Sequence, residues 1–232
     1  GIGEALAQNL LEKGNTVIGV SRNRSEQLES KKYYEITFDL SDTSGLDNII
    51  DKADEIYNSD SFEFLCLVNN AAILEPIKSI ENCSTFEIES HFHIGLITPV
   101  VLTSKFIKKF SGINTRKKIV FISSGAAIHA MPDMSPYCSS KAGINMFSEC
   151  VGLEQKNREN AFEVISLTPG MVETSMQQIS RSKTVEEFAM VDLFRNAFKE
   201  GKVQDRNIVA KNIVTIINNK YEYGKFINCN DI

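Results

Sequence analysis

GIGEALAQNLLEKGNTVIGVSRNR, residues 1–24, holds two elements and the turn between them. Ile2, Leu6, Leu10 and Leu11 recur at helical spacing, and Gly14 stands where a helix stop is expected. Thr16-Val17-Ile18-Gly19-Val20-Ser21 then runs short, apolar and largely β-branched, which predicts a buried strand. The rest of the chain repeats this pairing. A polar connection expected to be helical leads to a strand at 33–39. A helix at 46–57, a strand at 64–68, a long helix at 86–110 and a strand at 118–123 follow, then a helix at 136–157 and a strand at 162–167. The rhythm breaks at 174–203, which is polar and free of strand signals, and resumes with a helix at 208–218 and a last strand at 225–228.

Each parallel crossover needs a helix to return the chain, so repeated units of this length imply an α/β fold with a doubly wound parallel sheet, Rossmann-type, in a single domain over 1–232. Ligands on such sheets bind at the carboxyl ends of strands, and motifs at those positions carry the most weight.

Composition narrows the function classes. Hydrophobic residues make up 42% and charged residues 24% of 232, ordinary globular usage. Thirty acidic residues against 25 basic ones give a net charge of −5, which repels a nucleic-acid backbone. Apolar runs such as 64–68 fall far short of the roughly 18 residues of a membrane span. Cys66, Cys83, Cys138, Cys150 and Cys229 are odd in number and lack CxxC spacing, which argues against a disulfide framework or zinc site and for reduced thiols in the cytoplasm. His91 and His93, two apart on a helix, face different ways and read as surface or core histidines; no metal is expected.

Gly1-Ile2-Gly3 at a helix start has the form of the tail of a glycine-rich phosphate loop, where backbone N–H groups approach a pyrophosphate; plain turn chemistry would use the same glycines. About 20 residues on, at the end of the second element, a dinucleotide fold places the group that meets the adenosine ribose. An acid there would favour NAD. Here Ser21-Arg22-Asn23-Arg24 offers a cation to a 2′-phosphate, so NADPH is the expected cofactor, unless Arg22 is only a solvated charge. Ser124 ends a predicted strand, Tyr137 lies thirteen residues later and Lys141 four beyond that, so the phenol and the ammonium share one helix face. A nearby cation favours phenolate and should bring Tyr137 down from its ordinary pKa of about 10, and Ser124 could hold the oxygen that Tyr137 protonates.

At these residues the sequence resembles the short-chain dehydrogenase/reductase family, whose YxxxK with an upstream Ser is present as Tyr137, Lys141 and Ser124. The resemblance runs the whole length. Asn69-Asn70-Ala71-Ala72 stands where the family has NNAG, Asp39-Leu40 where it has an acidic adenine-side pair, and Pro169-Gly170-Met171-Val172-Glu173-Thr174 matches PGxVxT at the nicotinamide end. Through 122–127, 137–143 and 169–176 the chain looks most like the bacterial sepiapterin-reductase and benzil-reductase branch. The resemblance implies a carbonyl reductase that passes hydride from NADPH to a ketone or diketone, with Tyr137 as proton donor, Ser124 stabilising charge on the oxygen and Lys141 holding the ribose. It also implies a substrate lid over about 174–202 and a homodimer. Met131, Met134, Met171 and Met176 could form an apolar substrate wall or simply fill core, and His129 could line the substrate mouth or be a plain loop residue.

Two departures from the family stand out. Gly95 occupies the place of an Asn thought to kink the long helix and hold a water in a proton relay through the Lys; glycine keeps the kink but brings no side chain. A cofactor-binding sensor with little turnover is therefore the alternative reading. The chain also opens inside the glycine motif, where the family has a preceding strand, as a truncated record would.

Overall fold

The computed structural model describes residues 1–58 and 61–232. Its strands are β1 (Val17–Ser21), β2 (Tyr33–Thr37), β3 (Phe64–Asn69), β4 (Arg116–Ile122), β5 (Phe162–Thr168) and β6 (Phe226–Asn228). All pairings between them are parallel, in the orders β1-β2 and β3-β4-β5-β6. The helices are α1 (Ile2–Glu12), α2 (Leu46–Asn58), α3 (Thr85–Phe92), α4 (Thr98–Phe110), α5 (Ser135–Gln155), α6 (Ser175–Ser182), α7 (Val191–Lys199) and α8 (Arg206–Asn218).

Two apolar clusters flank the strands. On one face Leu6 of α1 and Val209, Ile213 and Ile216 of α8 pack on Val120, Ile165 and Leu167. On the other, Ile49 of α2, Phe106 and Phe110 of α4 and Ile144 and Val151 of α5 pack on Ile119, Phe121 and Val164, and Val20, Ile36 and Phe38 join them from the β1–β2 side. Helices on both faces of a parallel sheet are the doubly wound arrangement the periodicity implied. β4 begins at Arg116, two residues before its predicted start, because the ammoniums of Lys117 and Lys118 are taken up by backbone carbonyls. Lys118 Nζ donates to Ile217 O at 2.9 Å at the carboxyl end of α8 and pairs with Glu163 at 3.0 Å. Lys117 Nζ donates to Thr115 O and to Ile113 O.

Elsewhere the structure departs from the sequence reading. The connection between β1 and β2 is not helical; residues 22–32 run through bends and a turn. It is a polar stretch anchored by one buried apolar residue, Leu28, and by Ser25 N donating to Glu35 Oε1 at 2.7 Å, too little to bury a helix face. The long helix expected over 86–110 is α3 and α4 joined through a π turn at His93–Ile97, so the kink foreseen at Gly95 is one wide turn. The segment 174–202 folds as α6 and α7, which cover a third cluster made of Leu74, Ala126, Met134, Tyr137, Phe188 and Val191.

Candidate active site

The carboxyl ends of β1 to β5 open into one cleft of about 540 Å³. β1 delivers Ser21 and Arg22. β3 delivers Asn70, Ala71 and Ala72, β4 delivers Ser123 and Ser124, and β5 delivers Thr168, Pro169 and Gly170. Asp39 and Leu40 line it just after β2, Gly1 and Ile2 at the start of α1, Val172 and Thr174 after β5, and Tyr137 and Lys141 from the first turns of α5. Of the residues given a catalytic or cofactor-binding role in the sequence, Gly3 alone stands back from the cleft. A Cβ on Gly3 would lie 2.6 Å from Asn70 Nδ2, so the glycine lets α1 pack directly against the loop after β3.

The chain fits a dinucleotide at this site. Gly1 caps α1 without a side chain, and a Cβ there would meet nothing within 4 Å, so the helix N-terminus faces open space in the cleft. Glu4, in the same turn, accepts from Ser25 Oγ at 3.1 Å and lies 3.7 Å from the Gly1 nitrogen and 3.8 Å from Arg206. Arg22 stands near Asp39, whose carboxyl is held below its ordinary range by the backbone N–H and hydroxyl of Ser41, with a smaller pull from Arg22. Gly170 adopts φ 75, a left-handed conformation that turns the chain sharply after β5. Thr174 caps α6 by accepting from Gln177 N at 3.4 Å.

Tyr137 and Lys141 are buried, at 8% and 5% exposure. Lys141 Nζ donates to Ile122 O at 2.8 Å and lies 5.8 Å from the Tyr137 ring centroid. This corrects the expected electrostatics. Burial lowers the Lys141 pKa to about 8. Burial also raises the Tyr137 phenol above its ordinary 10, and the neighbouring Ser124 hydroxyl pulls it partly back. Desolvation dominates the phenol, while the Lys141 ammonium makes its hydrogen bond to the β4 carbonyl and stays 5.8 Å from the ring centroid. The phenol is therefore protonated at neutral pH. Ser124 Oγ accepts from Ala126 N at 3.1 Å, which fixes the hydroxyl at the strand end.

Beyond Tyr137 the cleft wall is apolar, with Leu74, Met131, Met134, Met176 and Phe194. Met131, Met134, Met171 and Met176 thus all line the cleft, while His129 is absent from its lining. His91 takes the core place that is one of its two expected readings, whereas no role was expected of Ser140. His91 is fully buried, its Nδ1 lies 2.7 Å from Glu75 O, and its Nε2 lies 3.0 Å from Ser140 Oγ. Its two-residue spacing from His93 gave no sign of this, since the Glu75 carbonyl comes from a loop 16 residues away. Among the described residues no group of three or more His, Cys, Asp or Glu is placed to hold a metal ion, and no helix is long and apolar enough to cross a membrane.

The short chain dehydrogenase family model matches residues 1–185. Benzil reductase ((S)-benzoin forming) of Bacillus subtilis (strain 168) is 32% identical over 225 residues, 97% of this chain and 92% of that protein. The Bacillus cereus protein of the same name is 33% identical over 223 residues, 94% and 90% of the two chains. Sepiapterin reductase of Bos taurus is 25% identical, covering 100% and 91%. Among solved structures, a short chain dehydrogenase/reductase from Saccharomyces cerevisiae superposes with TM-score 0.86 at 22% identity, covering 100% of this chain and 92% of that one.

Proposed function

The chain belongs to the short-chain dehydrogenase family of oxidoreductases, and from that premise we propose that it is an NADPH-dependent carbonyl reductase acting on bulky ketones or diketones. The observation that carries this reading is the convergence of Ser124, Tyr137 and Lys141 in one cleft whose far wall is apolar. A bound nicotinamide supplies hydride to the carbonyl carbon. Tyr137, a protonated phenol at neutral pH that burial holds further from ionising, donates its proton to the carbonyl oxygen, and Ser124 stabilises the charge growing on that oxygen. Lys141 holds the ribose. Arg22 meets the 2′-phosphate, with Asp39 and Leu40 on the adenine side, Gly1, Ile2 and Gly3 forming the phosphate-binding turn, and Asn70, Ala71 and Ala72 lying along the cofactor. Pro169, Gly170, Val172 and Thr174 take the nicotinamide end. The methionines and Phe194 accept an aromatic flank of the kind benzil, the substrate named for the two Bacillus relatives, would present. Residues 174–202 form the lid, five unpaired thiols fit a reducing cytoplasm, and the working unit is a homodimer.

One experiment tests the assignment: NADPH and NADH binding, and benzil-dependent NADPH oxidation, in the wild type, Tyr137→Phe and Arg22→Ala. Tyr137→Phe should bind NADPH normally and lose about 10²–10⁴-fold in kcat, the usual contribution of a general acid. Arg22→Ala should lose roughly 10- to 100-fold in NADPH affinity with little change for NADH, as removal of one charge-assisted contact does. Near-wild-type turnover by folded Tyr137→Phe would defeat the reading.

A further inference from the structure

His91 sits behind the proton donor, outside the cleft lining, in a hydrogen-bond arrangement with one proton too few. Its Nδ1 is 2.7 Å from the Glu75 backbone carbonyl, which can only accept, so Nδ1 carries the hydrogen. Its Nε2 is 3.0 Å from Ser140 Oγ, and that oxygen is 2.9 Å from the carbonyl of Tyr137 one turn back. Ser140 has one hydroxyl hydrogen for these two acceptors. With a neutral ring, Nε2 is a bare lone pair and takes it. Only a doubly protonated ring would donate to Ser140 and turn the hydroxyl onto the Tyr137 carbonyl.

Three groups face the ring. Lys141 and Tyr137 come from α5 and Glu75 from the loop after β3. Burial lowers the His91 pKa from 6.5, the hydrogen bond to the Glu75 carbonyl pulls it partly back, and the Lys141 ammonium lowers it further against a weaker pull from the Glu75 carboxylate. The neutral form therefore dominates at pH 7. The His91 ring also meets the Tyr137 ring edge-on, with centroids 6.0 Å apart at 74°. The π turn completes the packing: a Cβ on Gly95 would stand 3.0 Å from Ser140 Oγ and 3.6 Å from His91 Nε2. Gly95 is the residue that leaves room for the pair.

We infer that His91, acting through the Ser140 hydroxyl, is a positioning residue that fixes the first turns of α5 and the Tyr137 ring for proton donation, and that Gly95 is small because this pair occupies the space. The inference rests on the proposed role of Tyr137. It replaces the idea of a broken relay at Gly95 with a different support built from α3 and α5. Protonating His91 would set a second cation beside Lys141 and redirect the Ser140 hydroxyl, so turnover should fall as the ring charges.

Histidine-selective ¹⁵N NMR of the full chain tests the geometry without turnover, the His91 signal being assigned by its loss in His91→Gln. A neutral ring protonated on Nδ1 at pH 7, with an Nε2 shift that moves in Ser140→Ala, is expected. A ring protonated on Nε2 alone overturns the inference. In benzil reduction, Ser140→Ala and His91→Phe should lower kcat about 10-fold or more with KM for NADPH within about twofold. His91→Gln, whose amide can donate to Glu75 and accept from Ser140, should restore kcat and abolish the wild-type decline below pH 6.5. A wild type that reduces no diketone overturns the proposed function and the positioning role with it. A working wild type matched by Ser140→Ala, or a His91→Gln variant that keeps the acid decline, overturns the positioning role alone.

Discussion

Lys141 carries its charge where little water reaches it, and that has a measurable thermodynamic sign. Its pKa is about 8 in the folded chain, against about 10.4 for an unperturbed lysine. Between those values the unfolded chain holds a proton that the folded chain does not, so stability rises with pH across that window. Below pH 8 both states are protonated and the folded state carries the full cost of the buried ammonium, on the order of 3 kcal/mol. Urea unfolding should therefore show the wild type gaining stability relative to Lys141→Met between pH 8 and 10, with Lys141→Met the more stable at pH 7. Equal pH dependence in the two proteins would contradict the buried charge. The opposite sign applies to function, since NADPH affinity that depends on the ammonium falls above pH 8. The Tyr137–Lys141 spacing was readable in the sequence because four residues make one helical turn. The charge balance was not, because it depends on the Ile122 carbonyl from another element. Gly95 was readable as a departure but not as a cause: only the coordinates show Ser140 and His91 filling its place, which predicts that Gly95→Asn disrupts the site instead of repairing it.

α6 and α7 are held over the site by a few directional contacts. Glu173 accepts from Arg181 through both oxygens, at 2.7 and 2.8 Å, while the same guanidinium stacks 4.0 Å from the Phe198 ring centroid. Asp133, at φ 64, ties three segments together. Its carbonyl accepts from Lys78 N at 2.9 Å, its Oδ1 from Ser79 Oγ at 3.2 Å, and its Oδ2 from Ala189 N at 3.0 Å, just before α7. Asp133→Gly keeps the left-handed backbone accessible and removes only the two side-chain bonds. Hydrogen exchange over 184–195 should quicken, KM for the ketone should rise several-fold, and stability should fall by about 1–2 kcal/mol. Unchanged exchange there would show that the apolar contacts of Phe188 and Val191 suffice to hold α6 and α7 in place. The sequence marked 174–202 as free of strands but not how α6 and α7 pack, because their apolar contacts lie on a loop and a helix distant in the chain. The β1–β2 connection went the other way: polar residues near a strand suggested a helix, and a single buried Leu28 could not support one.

For the whole molecule, the long strand–helix alternation was legible because parallel crossovers impose it, whereas what covers the outer surface is not written in any period. α5 presses Ile144, Ser148 and Val151 into the core and turns Met146, Cys150 and Leu153 outward, with Met146 61% and Leu153 59% exposed. Three apolar or sulfur-bearing side chains along two turns form a continuous stripe, and isologous pairing of that stripe about a two-fold axis is the simplest way to remove it from water. The proposed homodimer would use this face. Light scattering should then give twice the 25.9 kDa chain mass, and Leu153→Glu combined with Met146→Glu should give the single-chain mass, because burying two carboxylates against their symmetry mates costs more than the stripe returns. The core face of α5 is untouched by these changes, so the monomer should keep its far-ultraviolet spectrum. Its NADPH affinity should also stay close to the wild-type value, since Tyr137 and Lys141 lie at the other end of the helix. A double variant that remains at twice the chain mass would move the interface to another surface.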